Sequence, residues 1–154
     1  MAVDLRALID RVARAINEHD FAALDDLFTE DYVNDYPQSG ERIRGVANFK
    51  ATLQNYPEGI RRDGTDPASI RVAGTDERWV VTPMFTVKRV EGSGTTGTAM
   101  FTNRYPDGST WWVVQLFELR GERIARATTF FAPVYEAPEW RAPYIERIPA
   151  RDAG

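Results

Sequence analysis

Apolar residues near the N-terminus fall at Leu5, Leu8, Ile9, Val12 and Ile16, a spacing of three and four that lines one face of a helix. Asp4 stands where an N-cap belongs. After Asn17-Glu18-His19, Asp20 can cap a second short helix whose apolar positions are Phe21, Leu24, Leu27 and Phe28. Tyr32 to Tyr36 is β-rich and ends in the turn signal Pro37-Gln38-Ser39-Gly40, which predicts a short first strand. Gly45 then opens a third helix, with Val46, Phe49, Leu53 and Tyr56 on one face and Pro57 as its stop. Helices with apolar faces need a common surface to cover.

That surface follows in the chain. Residues 57–67 read as a loop, and from Ile70 onward the apolar period becomes two, with strands expected near 69–74, 78–90, 97–105, 110–119 and 123–131. Glu91-Gly92-Ser93-Gly94, Pro106-Asp107-Gly108 and Arg120-Gly121-Glu122 mark successive hairpins of an antiparallel meander. Helices first and strands later predict an α+β domain with three N-terminal helices on a curved, mostly antiparallel sheet.

Trp111, Val113, Phe117 and Leu119 share one face of a strand, and Trp112, Val114 and Leu116 the other, so both faces call for cover. The helices cover one. A second copy packing sheet to sheet is the simplest cover for the other and predicts a homodimer; the alternative is that the C-terminal segment folds back over it. That segment is rich in proline and aromatics, which fits an arm on a surface better than a helix or central strand. The division expected is a domain over 1–135 and an arm over 136–154.

Composition narrows the function. A formal charge of −4 with acids and bases interspersed leaves no basic stripe for a phosphate backbone, so nucleic acid is not an expected partner. The absence of cysteine removes disulfides and thiolate chemistry, and a single histidine removes His-rich metal sites, so no metal or other cofactor is expected. Charges in Met1-Ala2-Val3-Asp4-Leu5-Arg6 break any signal-like apolar run, and no window is apolar enough to span a bilayer, which points to the cytoplasm. His19 reads as a surface loop residue, and it is the one histidine a Ser-His-Asp arrangement would have. Gly92 to Gly97 lacks the lysine and the strand-to-helix setting of a phosphate loop. Arg104, in an otherwise mostly uncharged strand, either anchors an anionic ligand or pairs with an acid at the rim.

Two stretches carry a resemblance: Asn17-Glu18-His19-Asp20-Phe21 through Leu27-Phe28-Thr29-Glu30-Asp31-Tyr32-Val33-Asn34-Asp35-Tyr36-Pro37 with Arg44-Gly45 after it, and Val113 to Ile124. Together they resemble the SnoaL-like polyketide cyclase branch of the nuclear transport factor 2-like superfamily, with ketosteroid isomerase a more distant relative, over roughly residues 3 to 131. The resemblance implies a cone-shaped α+β barrel enclosing a pocket, often dimerised through its sheet, and a spectrum of functions from isomerases, cyclases, dehydratases and epoxide hydrolases to carriers without chemistry.

The resemblance also places candidate residues. Asp35 sits where ketosteroid isomerases carry their proton-moving aspartate; in an apolar cavity its pKa would rise and make it a proton acceptor, or it simply caps the turn after it. Gln115 stands where many SnoaL-like sequences have an aspartate, and would either donate to a carbonyl or oxyanion or act as a structural amide. The final-strand histidine of such enzymes is absent from Ile124-Ala125-Arg126-Ala127-Thr128-Thr129, and the helix-one tyrosine of ketosteroid isomerases is replaced by Arg11-Val12. Tyr32, Asn34, Tyr36, Tyr56 and Trp111 either line the pocket for a planar ligand or pack the core. The expected function is binding of a small apolar or aromatic metabolite, with cofactor-free proton transfer through Asp35 and Gln115; the alternative is a non-catalytic ligand-binding or assembly module.

Overall fold

Asp4 does cap the first helix: its carboxylate accepts the Ala7 N–H at 3.0 Å, and α1 runs Leu5–Asn17. The structure, a computed structural model, describes residues 2–55, 86–104 and 110–148. Leu8, Ile9, Val12 and Ile16 are buried as their spacing predicts. The chain reverses at His19, which takes a φ of 60°, and Asp20 caps a 3-10 turn over Phe21–Ala23 that runs into α2 (Leu24–Leu27).

Phe28, expected at the end of that helix, instead begins β1 (Phe28–Tyr36). Pairing with Ile124 and edge-on packing of its ring against Tyr32 at 4.6 Å hold it in extended conformation, so tertiary contacts override the helical spacing. The turn after Tyr36 is closed by the Gly40 N–H to the Tyr36 carbonyl at 2.9 Å, with Gly40 at a φ of 74°. It leads into β2 (Glu41–Arg44), a strand the sequence pattern did not predict because Ile43 is its only apolar residue. At a sheet edge charged side chains are the expected composition, since they discourage further pairing. Helix α3 (Val46–Gln54) follows Gly45 and lays Phe49 on Phe28 and Tyr32.

The meander is β3 (Thr86–Ser93), β4 (Thr96–Arg104), β5 (Thr110–Arg120) and β6 (Arg123–Pro133). One six-stranded sheet results, in the order β2-β1-β6-β5-β4-β3, antiparallel except where β1 runs parallel to β6. Bulges in the β3–β4 and β5–β6 ladders help to bend it. The sheet is curved but does not close: β2 and β3 stay edges among the described strands, so the α+β expectation holds with an open sheet in place of a complete barrel. The strand expected near 69–74, the first part of that near 78–90, the 57–67 loop, the Pro106–Gly108 turn and Tyr56 lie outside the described residues.

The core lies between α1 and the inner face of the sheet, where Phe101, Val113, Phe117, Leu119 and Ile124 are buried. Gly97 lies under the Phe117 ring so closely that a Cβ there would stand 2.4 Å from its Cζ. The two-faced strand divides as its pattern implies. Trp111, Val113, Phe117 and Leu119 are buried, whereas Leu116 on the opposite face is 47% exposed, with Phe130 of β6 exposed beside it. Beyond β6 the arm forms a 3-10 turn over Glu139–Tyr144, and its Tyr135, Trp140 and Tyr144 are exposed. No helix among the described residues is long and apolar enough to cross a membrane.

Candidate functional site

Period-two alternation puts Gln115 of β5 on the inner, helix-covered face between Val113 and Phe117. It is a polar residue in an apolar row. Directly across the ladder stands Thr129 of β6, and next to that Asn34 of β1, both buried. Gln115 Nε2 donates to Thr129 Oγ1 at 3.1 Å, Thr129 Oγ1 donates to Asn34 Oδ1 at 2.9 Å, and Asn34 Nδ2 donates to the Tyr36 hydroxyl at 3.1 Å. Four side chains on three adjacent strands form one line of hydrogen bonds running in one direction. Each bond polarises the next. At its end the Tyr36 hydroxyl accepts, and so retains its own proton for another acceptor.

Tyr36 is held in place by its neighbours. Its ring stacks on Phe131 at 5.8 Å, and Gln38 clamps Phe131 through both backbone groups, accepting from its N–H at 2.6 Å and donating to its carbonyl at 2.7 Å. Burial pushes the Tyr36 phenol up to about 12, with Glu41 adding to the shift. Four residues back on the same face, Tyr32 is fully buried against Phe28 and Phe49, and its hydroxyl has no hydrogen-bond partner among the described residues. Burial raises its phenol well above the ordinary value, and the nearby Tyr36 adds to that. Both phenols are therefore neutral donors at physiological pH. Such donors suit a carbonyl oxygen or a developing oxyanion.

Asp35 has other surroundings than expected. Alternation turns it to the opposite face of the sheet from Asn34 and Tyr36, where Arg42 of β2 grips it with two bonds, Nε at 2.5 Å and Nη2 at 2.8 Å, and Arg126 of β6 adds a third at 3.3 Å. The hydrogen bonds from Arg42 hold its carboxyl below the usual aspartate value. The expected direction is reversed, because a guanidinium in contact outweighs the modest desolvation of a carboxylate still about 20% exposed. Nor does Asp35 hold the turn, which rests on Gly40 and the Ser39 hydroxyl.

Of the expected pocket residues, Tyr32, Asn34, Tyr36 and Gln115 come together on the inner face. Trp111 is buried farther along the same face of β5, Tyr56 lies outside the described residues, and so does the Arg104 side chain. Thr129 was missed. The signal was present, because period two from Ala127 through Thr129 to Phe131 places it inward, opposite Gln115. His19, half-buried, stacks on Phe21 at 5.7 Å in the connector after α1. Among the described residues no three acidic or histidine side chains gather as a metal would require.

With the fold and this inward polar row in place, the sequence adds a family: the SnoaL-like domain model matches residues 9–127. The chain belongs to the SnoaL-like domain family. Among solved structures it is similar to an NTF2-like protein of unknown function from Burkholderia xenovorans LB400, at 28% identity and a TM-score of 0.70 over 94% of this chain and 95% of that one. A proposed ketosteroid isomerase from Kribbella flavida DSM 17836 matches at 24% identity and a TM-score of 0.70, over 95% and 90%. A LEH-like epoxide hydrolase from M. tuberculosis shares the fold at 23% identity and a TM-score of 0.54, over 82% and 80%. No curated protein matches the sequence.

Proposed function

We propose that this chain binds a small apolar or aromatic molecule through a carbonyl oxygen, seated against the inner face and held by the Tyr36 hydroxyl. The observation that carries the reading is the line Gln115, Thr129, Asn34, Tyr36, which ends on a phenolic proton with no acceptor of its own among the described residues. The buried, unpartnered Tyr32 hydroxyl beside it supports the same reading, since a hydroxyl removed from water without a partner is costly unless something arrives to accept its bond. The similar structures, one proposed to be a ketosteroid isomerase and one an epoxide hydrolase, make small organic ligands a natural class.

Binding is favoured over catalysis by a specific observation: the four residues of the line include no carboxylate or imidazole, and Asp35 is engaged by Arg42 on the other face. A cofactor-free isomerase, cyclase or hydrolase remains the second reading, with the line polarising a carbonyl. It requires Asp35 to leave Arg42 and β1 to shift by a residue so that the carboxylate turns to the inner face, and Asp35→Asn would then abolish turnover. The proposal also includes a cytoplasmic protein without nucleic-acid partners or cofactor, paired with a second copy through the outer face of the sheet.

The test is affinity for two probes of one shape, 2-acetonaphthone with a ketone and 2-ethylnaphthalene without it. Tyr36→Phe should weaken the ketone by roughly tenfold, the worth of one hydrogen bond, and leave the hydrocarbon within about twofold. Equal affinity of wild type and variant for the ketone would refute the anchor.

A further inference from the structure

The outer face of the sheet carries a depression of about 440 Å³ whose lining includes Thr98, Leu116, Glu118, Arg126 and Thr128. Thr98, Leu116 and Thr128 are register partners across three strands, and Leu116 is 47% exposed. Glu118 has Arg126 as its cross-strand neighbour, yet Arg126 is turned to Asp35, and Glu118 has no ion-pair partner among the described residues. An apolar side chain thus lies beside an unanswered negative charge.

The C-terminal arm presents the converse. Trp140 is 70% exposed with the Arg141 guanidinium 5.2 Å from its ring, and Arg141 has no acidic partner among the described residues. We propose that the arm of a second copy of this chain docks on this face, with Trp140 entering the depression over Leu116 and Arg141 meeting Glu118. Charge and shape agree, because a stacked Trp–Arg pair is matched by an apolar hollow with a carboxylate at its side.

Area agrees as well. Val134, Tyr135, Trp140, Tyr144, Ile145 and Ile148 are all exposed. At about 150–250 Å² for a whole aromatic side chain they offer on the order of 700 Å² per arm. Two reciprocal arms then bury about 1,400 Å² of arm surface and about as much of the faces beneath them, above the roughly 1,200–2,000 Å² total of a standard stable interface. The exchange goes beyond a plain sheet-to-sheet pair, since each copy's hollow is filled by a segment of the other. It does not depend on what the inner face binds.

Sedimentation velocity over a concentration series tests the exchange on the full chain, with Trp140→Ala, Arg141→Glu, Glu118→Arg and the double variant Arg141→Glu/Glu118→Arg. All three positions are exposed, and circular dichroism checks that the fold is kept. The wild type should be a dimer, each single variant should raise the dimer dissociation constant by about tenfold or more, and the double variant should return to within about threefold. A wild type that stays monomeric overturns the proposal, whatever the arm then covers. So do single variants that dimerise like the wild type, or a double variant that fails to recover.

Discussion

Thr129→Val removes the middle of the polar line without changing its shape. Valine fills the same volume and is at least as good a strand former, so neither a cavity nor a propensity cost arises. What is lost is a hydroxyl that accepts from Gln115 at 3.1 Å and donates to Asn34 at 2.9 Å. Asn34 is only 1% exposed, so its Oδ1 is left buried without a donor, at about 1–3 kcal/mol. Gln115 is partly exposed and recovers some hydration, adding about 0.5–1 kcal/mol. The sum is about 1.5–4 kcal/mol, or a fall in Tm of about 3–16 °C for a chain of this size. Thr129→Ser is the control, because it keeps both bonds and loses one methyl, about 1 kcal/mol. Urea unfolding at neutral pH measures both variants, and combining Thr129→Val with Asn34→Leu should cost less than the sum, since the line is already cut. A Thr129→Val protein as stable as Thr129→Ser would refute the reasoning.

Other consequences are equally direct. Gly97→Ala should destabilise by about 1–3 kcal/mol, because the new Cβ meets the buried Phe117 ring at 2.4 Å; thermal unfolding reads it, and an unchanged Tm contradicts that packing. Asp35 has a folded pKa below its ordinary 3.8, so its stabilising ion pairs are complete above that value and are lost as pH falls through the lowered one. Asp35→Asn should therefore flatten the acid limb of the stability curve measured by urea unfolding down to about pH 2, and an identical limb in both proteins would show the pairs to be inert. With the Tyr36 phenol near about 12, binding of 2-acetonaphthone should be flat from neutral pH to about pH 10 and weaken only as that value is approached. A midpoint near that of free tyrosine, read in the same binding assay, would contradict its burial.

The helix of period 3.6 at Leu5–Asn17 and the period-two strands of the meander were legible because one residue type, apolar, marks each inner position. Glu41–Arg44 was not, since an edge strand takes its identity from the neighbour it pairs with rather than from its own pattern. Phe28 went to the strand because its partners Ile124, Tyr32 and Phe49 are distant or unseen by local spacing. At the site, Asn34, Tyr36 and Gln115 were legible as polar groups at inward positions. Asp35 was misjudged in its environment, because one residue of register decides which face a strand residue takes, and Arg42 lies on a strand that was not anticipated.

Side-chain amide spectra offer the most direct check on the inner face as the binding site. In a ¹⁵N-labelled sample titrated with 2-acetonaphthone, the NH₂ signals of Asn34 and Gln115 should shift together and saturate with one affinity, while the backbone signals of Leu116, Glu118 and Thr128 on the outer face stay in place. Shifts confined to those outer-face residues, with the Asn34 and Gln115 amides unmoved, would contradict it.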